Sequence, residues 1–165
     1  MKGFIPASWF SKHKSLQQNE TSLKIKRSEK TILVVDDSRT QLFATKRTLE
    51  EYGFKVKTAE NGKHGILAAK HEKPDLILMD IVMPEVNGFQ ATRYLTRHPE
   101  TSHIPIIIVS GSTQEADKAW GLKLGARDFL TKPTEPAMLM TKVIRQLQAS
   151  QLQMQTESNA ASQSA

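Results

Sequence analysis

The 165-residue chain predicts an α/β fold, a doubly wound (βα)5 unit with one parallel five-stranded sheet covered by helices on both faces. Three observations carry this. Short aliphatic runs alternate with helix-length segments from residue 31 to about residue 150. The runs ILVV (32–35), LILM (76–79) and IIIV (106–109) show no apolar/polar alternation, as expected of strands buried on both sides. Each of these runs is followed directly by Asp or Ser.

The first strand spans 31–36 (TILVVD) and delivers Asp36 and Asp37. Alone, this pair has two readings: a helix N-cap, or acids set at the C-terminal sheet edge where open α/β sheets place ligands. A helix over 38–52 follows and stops at Gly53. The second strand, 54–59 (FKVKTA), is the least hydrophobic and is expected at an edge. A helix over 63–73 leads to the third strand, 75–80 (DLILMD), which ends in Asp80. After a helix over 88–98, the fourth strand, 105–110 (PIIIVS), ends in Ser110 and Gly111. A helix over 114–124, punctuated by Gly121 and Gly125, precedes the short strand 127–130 (RDFL), with Lys132 and Pro133 just beyond. The last helix, near 135–150, carries Pro136 in its first turn and a stripe of Met140, Val143, Ile144 and Leu147.

The flanks differ from this body. Residues 1–30 hold seven Lys or Arg against two Glu, whereas the remaining residues are nearly balanced. The leader therefore reads as a basic, disordered extension, although nucleic acid or anionic lipid could attract it through its charge and its Phe4, Ile5, Trp9 and Phe10 cluster. Residues 151–165 read as a frayed helix end and a polar tail. The absence of cysteine excludes disulfides and Cys-based zinc sites. No apolar run approaches the ~20 residues of a membrane span, and the start lacks a signal-peptide core, so a soluble cytoplasmic protein is expected.

If the strands are parallel neighbours, Asp36, Asp37, Asp80, Ser110 and Lys132 converge on one sheet edge. Three carboxylates within ~4 Å repel by a few kcal/mol per pair at an effective dielectric near 20, so the cluster needs a cation. Oxygen-only ligands point to a hard ion, and Mg²⁺ is the natural choice. Acid, metal, lysine and hydroxyl together suit phosphoryl transfer onto a carboxylate. His13, His64, His71, His98 and His103 lack metal-type pairing and read as surface residues. Trp120 is open to two readings, core or docking contact. The glycines form no nucleotide-binding fingerprint.

The stretches VVDDS (34–38), LILMDIVMPEVNG (76–88), IIIVSGS (106–112) and GARDFLTKP (125–133) resemble the receiver domain of two-component response regulators. The likeness covers residues 31–150. Within that family, DIVMPEVNGFQATRYLT and ADKAWGLKLGARDFLTKP look like twitching-motility regulators of the PilH type. The resemblance implies a flavodoxin-like strand order 2-1-3-4-5. It implies Asp80 as phosphoacceptor, Mg²⁺ held by Asp36, Asp37, Asp80 and the Val82 backbone carbonyl, and Lys132 and Ser110 as partners of the phosphoryl oxygens. Pro133 would follow a cis peptide bond. Ser110 would move toward the phosphoryl group and let Phe129 turn inward, although Ser110 could also cap a turn and Phe129 could be plain core.

Val82 departs from the polar residue of many relatives, which implies slow loss of phosphate, and Gly111 implies a wider approach. The tails provide no helix-turn-helix, so direct DNA binding is not expected. DIV at 80–82 lacks the DxD of aspartate-nucleophile phosphatases, so an enzyme proper is not expected. The implied phosphodonor is a histidine kinase. The expected output is a monomeric single-domain switch whose fourth helix, fifth strand and fifth helix engage a pilus motor or assembly protein. The alternative is a phosphate sink that drains a shared kinase.

Overall fold

Strand placement follows from where unbroken aliphatic runs can hide from water on both sides. The structure is a computed structural model and describes residues 25–163. Its strands are β1 (Thr31–Val35), β2 (Lys55–Ala59), β3 (Leu76–Met79), β4 (Ile106–Ser110) and β5 (Asp128–Thr131). Between and after them run α1 (Arg39–Glu51), α2 (Gly62–Glu72), α3 (Gly88–Arg97), α4 (Glu115–Lys123) and α5 (Pro136–Gln163). The five strands form one parallel sheet in the order β2-β1-β3-β4-β5, with β2, the most polar strand, at an edge. The register sets Ile32, Val34 and Val35 beside Leu76, Leu78 and Met79.

Successive strand residues face opposite layers. Ile32, Val34, Leu76, Leu78 and Ile107 pack toward Leu42 and Leu49 of α1 and Met140, Val143 and Leu147 of α5. Leu33, Val35, Ile77, Met79 and Ile106 face the other way, toward Ala69 of α2 and Ala91 and Leu95 of α3. Each fully buried aliphatic side chain contributes roughly 1.5–3 kcal/mol, so the three central strands anchor both layers. A smaller cluster of Ile81, Ile108, Ala126 and Phe129 closes the β4–β5 side. Helix α1 starts at Ser38, whose hydroxyl accepts the Gln41 N–H, and α3 starts at Asn87 with a reciprocal Asn87–Gln90 capping box.

Two boundaries differ from the sequence expectation. The folded body begins before residue 31: a 3-10 turn spans Arg27–Glu29, Ile25 packs against the α1–α5 core, and Lys30 Nζ lies 3.0 Å from Asp75 Oδ1. One apolar residue in a basic stretch left no periodic signal to find. Residues 1–24, on which the expectation of a disordered leader falls, lie outside the described residues. At the other end α5 does not stop near residue 150 but continues to Gln163. Residues 151–163 contain neither Gly nor Pro, so nothing in the chain halts the helix. Among the described residues, no helix is long and apolar enough to cross a membrane.

Candidate phosphoacceptor site

The parallel ladder carries three acids to one end of the sheet. The Asp36 N–H donates to the Ala59 carbonyl (3.1 Å) and the Asp80 N–H to the Val35 carbonyl (2.9 Å), so both side chains leave from fixed backbone. Asp36 and Asp80 are buried and Asp37 is exposed, and oxygens from all three lie within 4.8 Å of one another. Lys132, one residue beyond β5, donates to Asp36 Oδ2 (2.7 Å) and Asp80 Oδ1 (3.1 Å). Its own N–H is held by the Ser110 carbonyl at 2.8 Å, and the bond to Pro133 is cis. Asp36 Oδ1 also accepts the Ser38 N–H at 2.8 Å, tying the acid pair to the start of α1.

Burial pushes the Asp80 carboxyl above its ordinary range; Lys132 opposes this and the Asp36 charge reinforces it. Three carboxylates against one lysine leave the cluster net negative. Hard oxygen donors and net negative charge fit a divalent cation such as Mg²⁺ at Asp36, Asp37 and Asp80.

Ser110 is buried at the end of β4, and its hydroxyl accepts the Ser112 N–H at 3.1 Å. Val82 is 76 % exposed beside the acids. Phe129, open in sequence to a switch or a core reading, is only 7 % exposed, packed on Ile81, Ile108 and Ala126 with Phe89 alongside. Trp120 is half-exposed on α4, with Lys123 Nζ 5.6 Å from its ring centre.

Three features escaped sequence reasoning. A cleft of about 530 Å³ opens beside Asp80 between α1 and α5, lined by Gln41, Thr45 and Thr48 as well as Leu78, Val109 and Pro133. A Cβ on Gly88 would lie 1.9 Å from the Asp80 carbonyl oxygen, so only glycine lets α3 start against the acid's backbone. Between them, Glu85 adopts φ +63°, and the Val86 N–H reaches the Pro84 carbonyl at 2.8 Å, a tight three-residue turn. The glycine in PEVNG was the one available signal for this close approach.

Comparison with known proteins agrees with this geometry. Residues 32–144 match the family described as response regulator receiver domain. Protein PilH of Pseudomonas aeruginosa is 54% identical over 112 residues, covering 68% of this chain and 93% of that protein. Response regulator PleD of Caulobacter vibrioides is 40% identical over 114 residues, 68% of this chain but only 25% of that protein. Among solved structures, a CheY-like receiver domain protein from Methanospirillum hungatei superposes with a TM-score of 0.71 at 27% identity, covering 75% of this chain and 98% of that one. The receiver domain of a histidine kinase from Syntrophus aciditrophicus gives 0.68 at 35% identity, covering 73% and 91%. With the acids, the lysine and the strand order arranged as described, the chain belongs to the response regulator receiver domain family.

Proposed function

We propose that Asp80 accepts a phosphoryl group from a histidine kinase, and that the chain works as a single-domain response regulator in control of twitching motility. The observation that carries the chemistry is Lys132 bridging Asp36 and Asp80 inside a three-carboxylate cluster. An Asp80 oxygen attacks phosphorus, the new O–P bond forms as the donor's P–N bond breaks, and the imidazole nitrogen keeps the electron pair. Lys132 then follows the charge onto the phosphoryl oxygens, and the Ser110 hydroxyl, already accepting one N–H, donates its own proton to one of them. Mg²⁺ held by Asp36, Asp37, Asp80 and the Val82 carbonyl would supply charge neutralisation for the transfer. The cleft between α1 and α5 gives a donor group room to approach.

The twitching-motility reading is supported by the PilH-type stretches and by the similarity to PilH along nearly all of that protein. The exposed Trp120, Leu122 and Met138 support α4, β5 and α5 as the face that meets a pilus motor or assembly protein. The protein is expected to act in the cytoplasm, where such kinases present their phosphohistidine.

Labelling with acetyl phosphate tests the chemistry. Wild type should gain one phosphoryl group per chain, detected by intact mass, in the presence of Mg²⁺ and not in excess chelator. Asp80→Asn keeps the shape, removes the nucleophilic charge and should gain none. Stoichiometric labelling of Asp80→Asn would refute the assignment. Pull-down with and without beryllofluoride separates a switch, which gains a partner other than the kinase, from a sink, which does not.

A further inference from the structure

The outer face of α3 carries a second, unrelated feature. Arg93 and Arg97, one helical turn apart on its exposed side, have no carboxylate or hydrogen-bond partner for their guanidinium groups among the described residues. The exposed cations of α1 contrast with this: Arg47 pairs with Glu51 and Lys46 with Glu50. The two arginines border a groove of about 410 Å³ with Gln90, Tyr94, His98 and Pro99. Its aromatic wall is preorganised. Tyr94 and His98 stack at 5.5 Å, and Lys70 of α2 donates to the Tyr94 hydroxyl at 3.3 Å while lying 5.6 Å from the ring centre. Glu100 is engaged at the rim by Lys70 (3.9 Å) and His98 (3.7 Å).

From this we infer that the α3 groove docks an acidic peptide segment of a partner protein, its carboxylates gripped by Arg93 and Arg97 and its backbone laid against Tyr94 and His98. Charge complementarity selects the occupant. The chain's own leader carries a surplus of Lys and Arg, the wrong sign for a groove bordered by arginines. A nucleic acid needs a track of many phosphate contacts, whereas this spot offers two free arginines and one lysine with an acid at its edge. Two planar guanidinium groups whose backbones lie one turn, about 6 Å, apart along the helix suit two carboxylates spaced on a short peptide. The groove runs along the outer face of α3 from Gln90 to Pro99, and none of the residues that line it belongs to the acid cluster or to Lys132.

The test is an amide-shift titration of the full-length chain with hexaglutamate, run beside a short oligothymidylate and phosphatidylglycerol vesicles at equal ionic strength. Hexaglutamate should shift Lys70 and residues 90–98 saturably, and salt should weaken the effect. Affinity should fall roughly tenfold or more in Arg93→Glu/Arg97→Glu, and several-fold in Arg93→Lys/Arg97→Lys, which keeps charge but loses the fork. Both variants should melt like wild type and label equally with acetyl phosphate. The inference is overturned if residues 90–98 do not shift, if the charge-reversed variant responds as wild type does, or if oligothymidylate or vesicles bind the same residues more tightly.

Discussion

Lys132 answers, with one ammonium, a repulsion that three carboxylates create, while burial, more than the Asp36 charge, holds the Asp80 carboxyl above its ordinary range. On the proposed chemistry, residues around the acids would set how long a phosphoryl group survives there. Val82 offers no hydrogen bond to an incoming water, so Val82→Asn should orient one and shorten the half-life of the phosphorylated form several-fold, read by intact mass against time. An unchanged half-life would shift attention to Gly111, where an added Cβ meets nothing within 4 Å. Gly88 is the opposite case. A methyl group there would collide with the Asp80 carbonyl, backbone against side chain, with no flexible atom to yield. Gly88→Ala should therefore lose about 1–3 kcal/mol in a denaturant melt and label more slowly, because relief of the clash must displace Asp80 itself. Gly121→Ala should cost less, since the nearest atom is the movable Cδ1 of Ile108.

At the scale of elements, each strand lies within a residue or two of where its aliphatic run predicts it, because LILM and IIIV can be satisfied only by burial on both faces. The polar FKVKTA run likewise marks an edge, and β2 occupies one. The acids and Lys132 were legible for the same reason: a parallel sheet sends every strand end to one side, so position in sequence translates into position in space. The α1–α5 cleft was not legible, because it arises from how far apart two helices pack, which no local pattern encodes. Nor was the basic groove, which needs Lys70 of one helix beside Tyr94 of another. The length of α5 was misjudged because polarity was read as an end of structure, whereas Gln, Ala and Met continue a helix readily. That extension touches little. Leu147 is the last residue buried in the core, and residues 152–162 are exposed. A chain ending at Ser150 should stay within about 0.5 kcal/mol of full-length stability while losing far-ultraviolet helical signal. A larger loss would mean that the shallow depression formed by Gln153 and Glu157 with His103 and Arg127 is a true packing contact.

Over the whole molecule, two buried aspartates pull stability in opposite directions with pH. Asp128 at the start of β5 loses solvation, which raises its pKa, yet Lys142 at 2.6 Å, the Phe129 N–H at 2.8 Å and Arg145 together outweigh this and hold it below the ordinary carboxylate range. A folded-state pKa that is depressed contributes stability above the unfolded value and loses it as pH falls through the folded one. Asp80 has the reverse sign: its raised pKa makes the ionised form a burden on the fold, absent in acid and fully present once pH exceeds the folded value. Two difference measurements separate them. In chelator, Asp80→Asn should be more stable than wild type, by a margin that grows as pH rises above 3.8 and then levels off. Asp128→Asn should be less stable at neutral pH, by about 1–3 kcal/mol, because Lys142 and Arg145 lose a charged partner. That deficit should begin to shrink as pH falls below the ordinary carboxylate value and close through the lower pH at which the folded wild type protonates Asp128. Denaturant melts of the three proteins from pH 3 to 7 read both curves. Added Mg²⁺ should erase the advantage of Asp80→Asn over wild type, since only wild type retains the full carboxylate set, and binding to the folded state alone raises its stability. If Mg²⁺ stabilises both proteins equally, Asp80 is not among the ligands. If the Asp80→Asn margin fails to grow with pH, the burial of that carboxylate is not what the fold opposes.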